Sequence, residues 1–511
     1  MSRCFRSLLI LAWIGFYSAM VSAADRPNLL LITVDDMSAD SVGVYGSRVP
    51  GITPNIDQLA REGLRFERAH VQVANCMPSR NVMWSGRYPQ SNRVEGFRQV
   101  RDPGYPHLVD LAKKAGYFTA IRHKLKDSTP YFPYAWDMEL DTLPGDSRPD
   151  KKDPKSYGLS TAAGIRAAKS AGKPFFLLIN IADPHLPFFG LDRAGQEVND
   201  VFVPSRIYQA GEISLPGFLV DDPVVRQELA HYYSTVRRAD DAVGYILQAL
   251  ESSGKAGRTL VMFISDHGMP FPFAKTQLYH HSTRTPLIFR WPGVIQADSV
   301  DREHMVSAVD LLPTLADGIG AQLPEGVEGR TFLPLLKGDS QDHRDRVFKA
   351  YNENSAGQRR PMRAVETSQF LYIFNPWSDG RRELHSATNR TSTHKRMVEL
   401  ARKNTELAQR LILLKHRVLE ELYDIQNDPD CLVNLIADPA YQKEAGHLRA
   451  MLEGWMRDTH DPALSAFLGR QDRAVLTDFM EQQELRMKRH RVWMQAVKER
   501  MKKSAASKAE M

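Results

Sequence analysis

Four short clusters in this 511-residue sequence combine residue types that do chemistry. Asp35-Asp36, Asp183-Pro184-His185 and Asp266-His267-Gly268 bring carboxylates and imidazoles, and Cys76-Met-Pro-Ser-Arg80 brings a thiol and a guanidinium. Asp35, Asp36 and Asp266 offer hard oxygen ligands, and His267 offers a further contact. That set favours Ca²⁺ or Mg²⁺, and the imidazole also admits Mn²⁺ or Zn²⁺. Pro78 suits the first turn of a helix. Cys76 then stands just before a helix N-terminus, where free N–H groups and the dipole favour an anion or a thiolate. Arg80, one turn in, presents a planar fork to a tetrahedral oxyanion. A nucleophile, an anion-binding helix end, an arginine and a divalent cation together suit displacement at sulfur or phosphorus. Taken singly, each Asp cluster reads more readily as a helix cap. Cys76 alone reads equally as a structural cysteine or half of a disulfide with Cys431. The coincidence of the clusters is what points to a site.

The elements that must position these residues are visible as apolar runs. Asn28–Val34 ends at Asp35-Asp36, Phe175–Ile181 just before Asp183, and Thr259–Ser265 at Asp266; Pro286–Arg290 is a fourth run. Such continuous runs read as buried parallel strands with both faces covered. Helical patterns at Ile56–Gly63, Leu108–Ala115, Leu159–Ser170 and Arg226–Ser252 lie between them. Alternating strands and helices predict an α/β sheet with ligands bound beyond the carboxyl ends of its strands, where three of the clusters would converge. The stretches Leu143–Ser156 and Phe189–Pro223 read as long surface loops.

Composition narrows the class. The net charge is +6, hydrophobic residues make up 42% and charged residues 25%, which excludes a disordered, collagenous or multi-span membrane protein. A surplus so small on this length gives no indication of nucleic-acid binding. Residues 1–24 have basic Arg3 and Arg6, a short apolar stretch and small residues at 21–24. They read as a signal peptide, hence a secreted or periplasmic protein with no stable membrane insertion after cleavage. The mature chain keeps only Cys76 and Cys431, too few for a disulfide scaffold. The expected divisions are a catalytic α/β domain over 25–345, a smaller α+β domain over 346–480 and a basic helical tail over 481–511. In the smaller domain Met362–Val365, Phe370–Phe374 and Glu421–Asp424 read as short, half-exposed strands. The tail reads as a solvated helix, or as an arm touching an anionic polymer.

The run Cys76-Met-Pro-Ser-Arg80, continuing to Ser85-Gly86, resembles the type I sulfatase signature. So do the opening stretches Arg26–Gly46 and Thr53–Gln72 and Glu421-Leu-Tyr-Asp-Ile with Asn434-Leu435. Asp266-His-Gly-Met-Pro-Phe-Pro272, Ala182-Asp-Pro-His185, Pro361-Met-Arg363 and Thr459-His-Asp-Pro462 are similar to the heparan N-sulfatase (sulfamidase) branch. The resemblance implies an alkaline-phosphatase-like fold with a large, mostly parallel sheet and a short antiparallel C-terminal sheet. It implies that Asp35, Asp36, Asp266 and His267, with residue 76, hold a calcium ion, ahead of Mg²⁺. Cys76 becomes formylglycine (3-oxoalanine) through a maturation enzyme, and Arg80 supports it. Lys124 and Lys275 contact the sulfate, and His185 faces the leaving group. One hydroxyl of the hydrated aldehyde attacks sulfur, and loss of a proton from the other expels sulfate. Lys275 replaces the branch's arginine. The family's Gly-Lys-x-His reads here as His123-Lys124-Leu-Lys126, so His123 or Lys126 must stand in for the missing histidine.

The implied substrate is a sulfated saccharide, N-sulfoglucosamine or a related glycosaminoglycan unit. Alternatives are an O-sulfatase of another polysaccharide, a phosphoesterase or phosphonate hydrolase on the same scaffold, or a non-catalytic binder of sulfated glycans. Arg363 and His460, with Trp377 and His385, are candidates for lining a sugar pocket.

Overall fold

The structure, a computed structural model, describes residues 26–100, 102–142 and 148–489. The expected signal segment and the last part of the basic tail lie outside these residues. All four apolar runs are strands of one sheet. Its members in chain order are β1 (Asn28–Val34), β2 (Leu64–Phe66), β3 (Phe118–Arg122), β4 (Met138–Glu139), β5 (Phe175–Asn180), β6 (Thr259–Ser265), β7 (Leu287–Arg290) and β8 (Ser299–Asp301). They lie side by side in the order β4-β3-β5-β1-β6-β7-β2-β8. Pairing is parallel from β4 to β6 and between β2 and β8, while β7 runs antiparallel to both its neighbours.

Side-chain alternation along β1 explains the two covering layers. Leu30, Ile32 and Val34 share a core with residues of α4 (Pro154–Ser170) and α5 (Pro223–Ser252), after α1 (Pro54–Arg61) on the same side. Leu29 and Leu31 meet α2 (Cys76–Ser85), α3 (Leu108–Lys114) and α6 (Leu311–Gly318) on the other. Three of these helices open with proline in the first turn, Pro54, Pro154 and Pro223. The last two are also capped by the preceding Asp153 and Asp222. The stretch expected to be loop as far as Ser156 therefore turns helical at Pro154.

The second sheet is antiparallel throughout: β9 (Arg346–Glu353), β10 (Arg359–Thr367), β11 (Phe370–Phe374) and β12 (Glu420–Asp424) in that order. The expectation of half-exposed strands is corrected: Met362, Ala364, Val365, Leu371 and Leu422 are fully buried. Helix α9 (Gln442–Asp458), which follows α7 (Ser392–Ala401) and α8 (Thr405–His416), lies against the strands. The first domain also meets the sheet, through Ala350 N–H donating to Gln72 O at 3.0 Å and Tyr279 Oη to Glu421 at 3.0 Å. One hydrophobic core runs from Leu30 to Met456 without a break. A helix over 473–489 crosses the expected boundary at 481, and its buried Gln483 accepts from Arg359 Nε at 2.8 Å.

A buried charged pin joins the second sheet to the first domain. Glu366 on β10 has Oε1 2.9 Å from His280 Nδ1 and 3.2 Å from His70 Nε2, while Lys349 Nζ pairs with its other oxygen. Burial opposes its ionisation, but His70, Lys349 and His280 together hold Glu366 well below the usual carboxylate range. Burial pushes both histidines down. Each of the three groups binds fewer protons folded than unfolded. Stability should therefore fall as pH drops, first through the imidazole range near about 6.5 and then through the carboxylate range near about 4.3. Glu366→Ala should cost about 3–5 kcal/mol, because it strands the Lys349 ammonium, and should remove the carboxylate part of that acid limb. An unchanged urea midpoint would reject the pin.

Candidate active site

The carboxyl ends of β1, β5 and β6 are tied together by backbone. Asp35 N–H donates to Asp183 O at 3.2 Å, Ile181 N–H to Thr33 O at 2.7 Å and Asp266 N–H to Val34 O at 3.2 Å. Their acidic tips therefore meet. One side-chain atom each from Asp35, Cys76, Asp266 and His267 lies within 4.8 Å of all the others, and all four residues are buried. Gly268 allows this turn: a Cβ there would sit 2.0 Å from His281 O. Asp36, expected in the same group, turns instead to Lys275 Nζ, at 2.6 and 2.7 Å. Its Oδ1 remains 3.2 Å from His267 Nε2.

Cys76 is the first residue of α2 rather than lying before it, and Asn75 is the cap. Asn75 Nδ2 donates to Glu353 O at 2.8 Å, which carries the site to the end of β9. The expected thiolate is not supported. Burial, then the Asp35 charge, push the Cys76 thiol well above its usual value, so the side chain is a protonated thiol 3.4 Å from His267. Cys76 and Cys431 are both free and do not pair.

Arg80 is fully buried at the centre. It reaches Asp266 Oδ2 at 3.0 and 3.1 Å, Thr33 Oγ1 at 2.6 Å and Asn180 Oδ1 at 2.6 Å. Lys124 Nζ is 2.5 Å from Asp35 Oδ2. Burial works against the charged Asp35, but Lys124, His185 and Arg80 overcome it and hold Asp35 well below the carboxylate range. Burial and the Asp35 charge push Asp266 up to about 6. Asp36, His123 and Lys124 adopt positive φ of 71°, 60° and 52°, a sparsely populated region that clusters at functional sites. His185, 40% exposed, brings Nε2 to 3.9 Å from Asp36, and its Nδ1 is 2.7 Å from Leu186 O.

Of the two stand-ins, His123 lies beside the cluster, where burial and Lys124 push its pKa down to about 3. Lys126 is exposed. Arg363 is corrected: it is buried, paired bidentately with Asp461 and bonded to Tyr351 O and Asn352, so it faces no substrate. Trp377 is likewise wholly buried. His460 is exposed just beyond α9, and its ring makes no hydrogen bond or ion pair among the described residues.

Sequence reading passed over Asn180, whose amide bridges Arg80 and His123 O. A polar residue closing the apolar run Phe175–Asn180 was its signal. It also passed over Lys152, which binds Asp183 Oδ1, His185 O at 2.9 Å and Pro187 O at 3.2 Å, and for which no local pattern exists.

A strand-end acidic cluster around a helix-opening cysteine, on a mixed sheet with a smaller antiparallel sheet, defines a class. The sulfatase family model matches residues 27–321, more than half of the chain, and this chain belongs to the sulfatase family. It is a hydrolase of sulfate esters or sulfamates. A second model, described as the C-terminal part of N-sulphoglucosamine sulphohydrolase, matches 266–410. Human N-sulphoglucosamine sulphohydrolase is 29% identical over 480 residues, covering 86% of this chain and 92% of its own. An ulvan-active sulfatase of Formosa agariphila is 27% identical over 470 residues, covering 86% and 76%. A solved structure in complex with its substrate D-glucosamine-2-N,6-O-disulfate superposes with a TM-score of 0.63 at 18% identity, over 86% of this chain and 99% of that one. It shares the fold.

Proposed function

We propose that this chain is an exported sulfatase that hydrolyses the sulfamate of N-sulfoglucosamine units in glycosaminoglycan-type saccharides. Cys76 is converted to formylglycine by a maturation enzyme, and Asp35, Asp36, Asp266 and His267, with residue 76, hold Ca²⁺. One observation carries the substrate. The match described for N-sulphoglucosamine sulphohydrolase takes in Asp266, His267 and Lys275 together with β9, β10 and β11. Export rests on the leader-like composition of residues 1–24.

The residues fit a divalent ion. Asp35 Oδ1 is buried with no hydrogen-bond partner, in an oxygen-rich set with one imidazole. Three carboxylates (Asp35, Asp36, Asp266) face three cations (Arg80, Lys124, Lys275). A divalent ion thus leaves a positive site for an anionic substrate. When present, the ion supplies Lewis-acid charge and the hydrated aldehyde a nucleophilic hydroxyl. Lys124 and Lys275 hold the charge on the sulfuryl oxygens. His185, whose Nδ1 is occupied by Leu186 O, offers Nε2 to move a proton to the departing amine. Adding calcium to chelated protein should raise its unfolding temperature, since ligand at a hundredfold excess over Kd adds about 2.7 kcal/mol. No shift with calcium or magnesium counts against the ion.

Lys152 fixes the His185 loop through its three contacts. Lys152→Met should lower kcat about tenfold to a hundredfold through misplacement of His185, with KM little changed and the alkaline side of the pH–rate profile, where a proton donor is lost, displaced. An equal loss in both parameters with an unmoved profile would make the role merely structural.

The similarity to the ulvan-active enzyme favours a second reading, an O-sulfatase of another polysaccharide. Release of sulfate from N-sulfoglucosamine, from 2-O-, 3-O- and 6-O-sulfated sugars and from matched phosphate esters separates these outcomes. Fast release from an O-sulfated sugar with none from N-sulfoglucosamine overturns the first reading. A preference for phosphate overturns both.

A further inference from the structure

A cavity of about 740 Å³ lies between the start of β10, the segment 379–385 and the helix over 473–489. It is polar, and its walls carry Arg360, Arg381, Arg382 and Arg473 against Asp379, Glu383 and Glu484. Those acids are already engaged. Arg382 pairs with Asp379 at 2.6 Å and with Glu484 at 3.0 Å, and Glu383 pairs outward with Lys415 at 2.7 Å. Arg381 and Arg473 are exposed, and their side chains enter no ion pair among the described residues. Arg360 is held near Arg382, like charge against like, and burial with that neighbour pushes its pKa down. Guanidinium groups left without carboxylates around a cavity suit a sulfate or carboxylate ligand.

Two short segments tie the lining of the cavity to residues of the catalytic cluster. His385 borders the cavity, and its backbone is pinned by Gln358 Oε1 at 2.9 Å and Asn354 Nδ2 at 2.8 Å. The next residue, Ser386, donates to Lys275 O at 3.4 Å. Asn354 follows Glu353, whose carbonyl holds Asn75 beside Cys76. Gln358 and Thr477 add neutral hydrogen-bonding groups suited to hydroxyls.

We infer that this cavity is a second saccharide site, which binds an acidic sugar further along the same chain while the terminal unit occupies the catalytic cluster. This rests on the reading of the substrate as a sulfated saccharide. It makes the enzyme sensitive to chain length, because two linked sites raise the effective concentration of the second contact.

The test is the double variant Arg381→Ala, Arg473→Ala, assayed on N-sulfoglucosamine and on a heparan-type tetrasaccharide ending in that unit. Tetrasaccharide KM should rise about tenfold with monosaccharide kinetics unchanged. Equal behaviour of the two proteins on both substrates, or an equal loss on both, overturns the second site. Calorimetric binding of the same tetrasaccharide to the wild-type chain and to the double variant is read independently of turnover. Equal affinity overturns the site, and a weakened affinity upholds it even where N-sulfoglucosamine is not turned over and the substrate reading fails.

Discussion

Cys76→Ala should abolish sulfate release, by at least about 10⁴-fold in kcat, while leaving the protein folded. Loss of a nucleophile of this kind costs about 10⁶-fold in other hydrolases. Among the described residues no other side chain is placed to replace it. Lys124 and Lys275 are tied up as cations against Asp35 and Asp36. His185 and His267 flank the cluster without standing where residue 76 stands. The fold tolerates the change because the thiol makes a single polar contact, with His267 at 3.4 Å, and its neighbours are held by other bonds. The unfolding temperature should stay within about 3 °C. Cys76→Ser should be nearly as inactive, since one hydroxyl gives no route for expelling sulfate from an ester. Near-wild-type sulfate release by the alanine variant would end the mechanism, and mass analysis of residue 76 in the active protein checks the aldehyde directly.

Arg80→Met should be the most damaging single change to stability at the site, costing about 3–5 kcal/mol in urea unfolding along with all activity. The shape is kept but the charge goes. Asp266, wholly buried, then loses its cation, and Thr33 Oγ1 and Asn180 Oδ1 lose a shared donor. Arg80→Lys should recover part of the stability and little of the activity. A lysine carries the charge but cannot span Asp266, Thr33 and Asn180 at once. A melting curve for Arg80→Met that overlays the wild type would show that the guanidinium is not what holds the three strand ends together.

Much of this was legible in the chain, and the limits have physical causes. Continuous apolar runs ending in Asp gave β1, β5 and β6 and the point where they converge. The reversed direction of β7 was not readable, because a four-residue apolar run looks the same in either orientation. The second sheet was read as half-exposed because its alternation is weak; both faces are covered, by α9 and by the first domain. Arg363 shows the harder limit. Pro361–Arg363 and Thr459–Pro462 are similar to the sulfamidase branch, and both suggested a sugar pocket. Arg363 instead pairs with Asp461, so the two stretches belong together as a buried ion pair rather than as substrate contacts. A partner 98 residues away leaves no mark in the local sequence. Lys152 was missed for the same reason, since its targets are a carboxylate and two carbonyls on a distant loop.

All ten residues of α2, Cys76 included, are buried. On the proposed function, a maturation enzyme would have to reach that cysteine before the helix is packed into the fold. The window for the proposed conversion to an aldehyde would then be set by the pace of folding. A chain that collapses too early would be a well-formed, permanently inert molecule. Yield of active protein from a heterologous host should therefore track how long the nascent segment stays open, more than how well the finished protein folds.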